Sequence, residues 1–304
     1  MNNYFNETGI NFTLPLAKRL FLFLCVTVLC FVLAGAFNSF IVYFKGTTPA
    51  TMRIAAVIQD IFAFIIPAIL TAILITRLPA RFLCVDKLPS VSSILLACFV
   101  LLASVPAMNA LVTWNESINL PESLSSLEQW MRDSEESSRA TINMVLGTDS
   151  ISALLLSIAI VGIFAGLSEE LFFRGAFQRL LSTGRLNSHL AIWIVAFVFS
   201  ASHLQFYGFF GRLLLGAFFG YLLFWFKSLW LPIIIHVINN TLYILSIYFA
   251  GESSDAVDLN NVGVDSPWII VLSVLLTAGG LALLRFRYAT RASHSISNIN
   301  IKEE

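Results

Sequence analysis

The sequence predicts an all-α polytopic membrane bundle of about eight transmembrane helices, with both termini cytoplasmic. Three observations lead there. Of 304 residues, 58% are hydrophobic and only 12% are charged, about half the charged fraction of an ordinary soluble domain. Apolar runs of about 20 residues, the length a bilayer core requires, recur along the chain. Basic and acidic residues also separate into alternate loops. The same composition excludes a disordered chain, a nucleic-acid binder and a typical soluble enzyme.

The apolar runs lie near 20–44, 54–76, 91–113, 151–173, 190–207, 209–226, 229–250 and 267–286. The first is too long for a signal-peptide core and has no clear cleavage site, so it counts as a span. Pro67 and Pro106 fall inside spans two and three, where proline produces kinks. The expected organisation is one transmembrane domain over 1–288, with a core at 151–250 and an outer loop at 114–150. A flexible cytoplasmic tail is expected over 289–304.

The 18 basic and 18 acidic residues cancel to a net charge of +0. The cancellation hides an asymmetry. Lys18 and Arg19 precede span one; Arg77, Arg81 and Lys87 follow span two. Arg174, Arg179 and Arg185 follow span four, Lys227 follows span six, and Arg285, Arg287 and Arg291 end span eight. The alternate segments 114–150 and 251–266 are acidic. Lys45 and Arg53 are exceptions on the outer side. Within 114–150, Leu124, Leu127, Trp130 and Met131 recur at helical spacing, which suggests an amphipathic helix in an otherwise solvated loop. Cys25, Cys30, Cys84 and Cys98 form no CxxC pair and read as packing residues. Asn-x-Ser/Thr patterns at Asn6, Asn11 and Asn115 carry little information by themselves.

Ionisable groups inside a bilayer cost a few kcal/mol or more. The few present are therefore the candidates for function: Asp60, Glu169, Glu170, His203, Arg212 and His236, with the amide Asn240. Asp60 reads as isolated beside Gln59, with a structural or interface role. Glu169 and Glu170 are about 100° apart on a helix and point in different directions. Glu170 and Arg174 are i,i+4 and can pair, which leaves Glu169 free for chemistry. His203 and His236 sit in apolar helices, and His236 and Asn240 share one helix face. His189 and His294 fall in polar stretches. A carboxylate with a neutral imidazole can deprotonate water. A second histidine and an amide can stabilise an oxyanion. A zinc site with Glu169, His203 and His236 as ligands is the competing chemistry, weakened by the absence of an HExxH helix. Both routes end in hydrolysis by water.

At this point the chain resembles a known family. Glu-Glu-xxx-Arg at 169–174, Phe-xxx-His at 199–203 and His-xxx-Asn at 236–240 look like the three motifs of the CPBP family, the CAAX protease and bacteriocin-processing intramembrane glutamic proteases. The resemblance implies that Glu169 activates water, that His203 assists, and that His236 and Asn240 form the oxyanion hole. Glu170, Arg174 and Phe199 are then supporting residues. It implies no required cofactor, with zinc as the less favoured version, and a membrane-associated peptide or protein substrate. The expected location is a bacterial inner membrane. Alternatives are a catalytically silent immunity or scaffold protein and a transporter with a proton relay, which the lack of visible inverted repeats disfavours.

One expectation concerns depth. Counted along straight spans, Glu169 falls near the cytoplasmic end of span four and His203 toward the outer end of span five. Bringing them together calls for an interfacial helix over 176–190 and a late or tilted span five. Gly162 and Gly166, and Gly216 and Gly220, form GxxxG patterns that suggest close helix packing inside the bundle.

Overall fold

The computed structural model describes residues 10, 12–146, 150–184, 186–252 and 262–300. Asn6, Thr8, Asn11, Asp149, Arg185, Asp255, Asp258 and the tail end at 301–304 lie outside the described residues. So do the side chains of Glu252, Arg291 and His294.

The described chain is a helical bundle. Its helices are α1 (Leu16–Lys45), α2 (Pro49–Ile75), α3 (Pro79–Phe82), α4 (Val91–Glu116) and α5 (Ser125–Leu146). After them come α6 (Ile151–Ser182), α7 (Ser188–Ser202), α8 (Phe209–Phe226), α9 (Trp230–Glu252) and α10 (Pro267–Asn300). Seven of these, α1, α2, α4, α6, α8, α9 and α10, are long and apolar enough to cross a membrane. The fifth predicted span is shorter than the sequence suggests. It is α7, 15 residues, or about 22 Å at 1.5 Å per residue, against a hydrocarbon core of about 30 Å.

Local chemistry explains where the helices start and bend. Thr48 caps α2: its hydroxyl accepts from the backbone N–H of Thr51 at 3.2 Å, and Pro49 follows at the first helical position, where a missing N–H costs little. Pro67 lacks an N–H and crowds the preceding turn. Just ahead of it α2 widens into π-helical turns over Asp60–Ile65, a common way to absorb such a conflict. Pro106 interrupts α4. There Ser273 of α10 restores hydrogen bonding, accepting from Ala107 N at 3.1 Å and donating to Ala103 O at 2.5 Å.

The centre of the bundle is α6. Helices α2, α7, α8 and α9 pack around it, over a core that includes Phe172, Phe173, Leu180, Phe199 and Ile233. Two π-helical stretches, Ile158–Phe164 and Leu171–Gln178, flank the regular turn Ala165–Glu170. The apolar run ends at Phe173, but the helix continues to Ser182. It does so because its polar side chains find partners inside the protein. Arg174 Nη2 donates to Gly216 O at 3.0 Å, Gln178 Nε2 to Gly220 O at 3.0 Å, and Arg179 Nε to Phe82 O at 2.8 Å. Arg174 and Arg179 are therefore buried in the bundle and do not belong to a cytoplasmic loop. The expected interfacial helix over 176–190 is likewise absent; α6 fills its first half and α7 begins at Ser188.

The glycine patterns pack as expected within the bundle. A Cβ at Gly166 would lie 3.3 Å from the backbone N of Val237, and one at Gly216 would lie 3.2 Å from Arg174 Nη2. The acidic segment forms the helix α5, which covers the outer end of the site. Ser134 donates to Leu204 O at 2.9 Å and Trp130 contacts Phe206 with ring centroids 5.1 Å apart. Arg53, one of the two outer basic residues, donates to Val145 O at 2.8 Å and so clamps α2 to the end of α5. Helix α10 continues through much of the predicted tail, to Asn300. His189 lies in the first turn of α7, against Tyr221 Oη at 3.0 Å.

Candidate active site

The lengths of α6 and α7 on either side of their short connection set the depth of the site. Helix α6 ends at Ser182 and α7 begins at Ser188. Thirteen residues separate Glu169 from Ser182 and fifteen separate Ser188 from His203, about 20 and 22 Å of helix. Glu169 and His203 thus reach the same depth on neighbouring antiparallel helices. The sequence estimate misplaces Glu169 because it ends span four at Phe173. Helix α7 stops at His203 because Leu204 adopts a left-handed conformation at φ 52°. The ring is then fixed by its Nδ1, 2.8 Å from Phe199 O.

The two glutamates face opposite environments, as the 100° spacing predicts. Glu170 is completely buried. Its Oε1 accepts from Arg174 Nη1 at 2.6 Å and lies 2.9 Å from His236 Nδ1. The Arg174 guanidinium also lies 4.4 Å from the Phe199 ring centroid, within cation–π range. Glu169 instead lines a cavity of about 980 Å³ between α1, α2, α5, α6 and α7. His203, Ser202 and Asp60 line the same cavity.

His236 links the two sides. It stacks on Phe219 with centroids 4.8 Å apart. With Nδ1 turned to Glu170, its Nε2 lies 3.7 Å from Glu169 Oε2, close enough for charge interaction but too long for a hydrogen bond. Phe199 stands between the histidines, 5.0 Å from the His203 ring and 6.0 Å from His236. Five of the seven residues selected from the sequence, Glu170, Arg174, Phe199, His203 and His236, thus meet around α6, and Glu169 joins them from the cavity side. Asn240 is the outlier. It lies one turn beyond His236, and its amide donates to Val161 O at 3.1 Å, so one of its two N–H groups is already engaged.

Several contributors are not visible in the motifs. Gly216 and Phe219 hold Arg174 and His236, and Asp60 lines the cavity with Glu169. Asp60 is not isolated, as its sequence context suggests, but buried in the cavity wall. Asp60 is conspicuous as an ionisable residue in an apolar run, whereas the cavity it shares with another helix leaves no mark in the local sequence. Among the described residues, no three His, Cys, Asp or Glu side chains form a group able to hold one metal ion. The competing zinc set of Glu169, His203 and His236 is not among such groups.

What the geometry offers is a carboxylate and an imidazole on one cavity wall, backed by a buried Arg–Glu–His cluster that fixes the second histidine. Such an arrangement suits proton transfer to and from water. No curated protein and no solved structure matches the chain. Residues 151–242, from the start of α6 into α9, match the model of a family described as type II CAAX prenyl endopeptidase Rce1-like, and this match supports the CPBP and CAAX protease family of membrane proteases for the chain.

Proposed function

We propose that the protein is an intramembrane endopeptidase in which Glu169 activates water. The observation that carries this reading is the equal depth of Glu169 and His203 on the wall of one cavity. Glu169 accepts a proton from water while His203 holds the water in place. Oxygen attacks the peptide carbonyl carbon. His236, oriented by Glu170 and Arg174, and the free N–H of Asn240 are the donors for the developing oxyanion. No protein nucleophile and no metal enters these steps.

The cavity walls also suggest how substrate arrives. They come from the C-terminal half of α1, the N-terminal half of α2 and the end of α5, including Asn38, Tyr43, Met52 and Val145. In the orientation set by the basic loops, all three belong to the outer half of the membrane. The substrate class is accordingly a membrane-associated polypeptide whose scissile bond sits toward the outer face, and the location is a cell inner membrane.

The test is cleavage by the purified full-length protein in lipid nanodiscs. The probes are a prenylated CAAX peptide and a quenched-fluorescent library of hydrophobic peptides. Glu169→Ala and His203→Ala are each expected to slow cleavage by about 100-fold or more, the usual contribution of a positioned acid or base. Undiminished cleavage by both variants would sink the mechanism. A parallel reaction with chelator is expected to leave the rate unchanged; loss of cleavage there would transfer the chemistry to a metal.

A further inference from the structure

The cavity wall contains a second carboxylate, Asp60, that the proposed reaction does not use. Its place is built by the fold. The π-helical stretch of α2 starts at this residue, and α2 packs here against the turn of α6 that carries Ser168 and Glu169. Asp60 and Glu169 line the same cavity from these two helices. Asp60 is buried, at 8% exposure. Among the described residues it forms no ion pair with Lys or Arg. The other titratable groups on the cavity wall are Glu169 from α6, His203 at the end of α7 and Tyr43 from α1.

Where two carboxyl groups line one cavity and neither pairs with Lys or Arg, one can serve as base while the other carries the proton to be donated. Resting on the reading of Glu169 as the base, we propose that Asp60 is the proton donor of the same reaction, the second member of an Asp60–Glu169 pair that delivers a proton to the leaving amine. Glu169 removes one proton from water as the water oxygen bonds to the carbonyl carbon, and the carbonyl π electrons move onto oxygen. The carbonyl then reforms, the C–N bond breaks with its electrons going to nitrogen, and nitrogen takes the proton from Asp60. The products are a carboxylic acid and an amine. The proton left on Glu169 passes to Asp60 and resets the pair, so the enzyme returns with one shared proton and no net change.

The experiment compares wild type with Asp60→Asn, Asp60→Glu and Glu169→Gln in the nanodisc assay above, each checked for an unchanged melting temperature. Asp60→Asn is expected to lower kcat by about 100-fold with little change in KM, and Asp60→Glu to recover part of the loss. The wild-type rate should fall at low pH, where the pair holds two protons and Glu169 cannot accept one. It should fall again at high pH, where the pair holds none and Asp60 cannot donate. Asp60→Asn should keep the low-pH fall and lose the high-pH one. Infrared spectroscopy provides a readout independent of substrate: a protonated-carboxyl band at neutral pH in wild type that Asp60→Asn removes. A wild-type rate and pH profile for Asp60→Asn, or an unchanged infrared band, overturns the assignment. Full cleavage by Glu169→Gln overturns the proposed function instead, so the two failures are distinguishable.

Discussion

Two Glu–Arg pairs in this protein are almost identical in local geometry and opposite in setting. Glu128–Arg132 on α5 and Glu170–Arg174 on α6 are both i,i+4, and both close to 2.6 Å. The side chains of the first are 52% exposed at Arg132 and 20% at Glu128; those of the second are 0% exposed. Helical spacing produces the contact in both cases. What the contact does is decided by its surroundings. On α5 water competes for both charges. On α6 each charge is the other's main compensation, and the pair also fixes His236 through Glu170 Oε1. The buried pair is thus a part of the site, whereas the exposed one decorates a surface helix.

The largest expected effect follows from removing one partner of the buried pair. Arg174→Met leaves Glu170 as an uncompensated buried charge, and such losses cost about 3–5 kcal/mol. Thermal unfolding in detergent should show a large drop in melting temperature. Glu170→Gln with Arg174→Met, which removes both charges, should recover much of it, because a buried pair replaced by neutral groups is often close to neutral in stability. If the single variant melts like wild type, the buried cluster does not hold the fold together.

A smaller effect is expected where α8 meets the cluster. Gly216 accepts a hydrogen bond from Arg174 through its carbonyl, and a Cβ there would lie 3.1 Å from Phe199 Cδ1 and 3.2 Å from Arg174 Nη2. Gly216→Ala has to displace one of them, and overpacking of this kind typically costs about 1–3 kcal/mol. Because both neighbours also position the histidines, the cleavage rate should fall as well. Gly35→Ala is the control, since a Cβ there meets nothing within 4 Å. Equal behaviour of the two variants would mean that the close approach of α8 is not required.

The same contrast explains what is legible in the sequence. The bundle can be read because apolar runs of spanning length have few other interpretations. Glu169, His203 and His236 can be read because an ionisable residue in such a run is conspicuous. The Glu170–Arg174 pair follows from spacing alone. The depth of the site cannot be read. Arg174, Gln178 and Arg179 look like the start of a polar loop, and only carbonyls contributed by Gly216, Gly220 and Phe82 reveal them as helix interior. Asp60 fails for the same reason, since its significance comes from the cavity it shares with Glu169 on another helix. Local pattern specifies elements and contacts within them; burial of polar groups by remote partners lies beyond it.

The smallest expected effect completes the comparison. Arg132 holds the Glu128 carboxyl below the usual carboxylate range, through its hydrogen bond first and its charge second. A carboxyl lowered on folding contributes stability above its unfolded value, near 4.3 for glutamate, and loses that contribution as pH falls through the lowered value. Glu128→Gln should therefore differ from wild type only above that range. Even there the shift in melting temperature should be near the limit of detection and fade further with added salt, because exposed pairs are screened. Arg174→Met should keep its large deficit at every salt concentration, since its partner is out of reach of counterions. A Glu128→Gln deficit that rivals it, or one that survives high salt, would show that α5 is held down by this pair, and that covering the outer end of the cavity depends on charge as well as on Trp130 and Ser134.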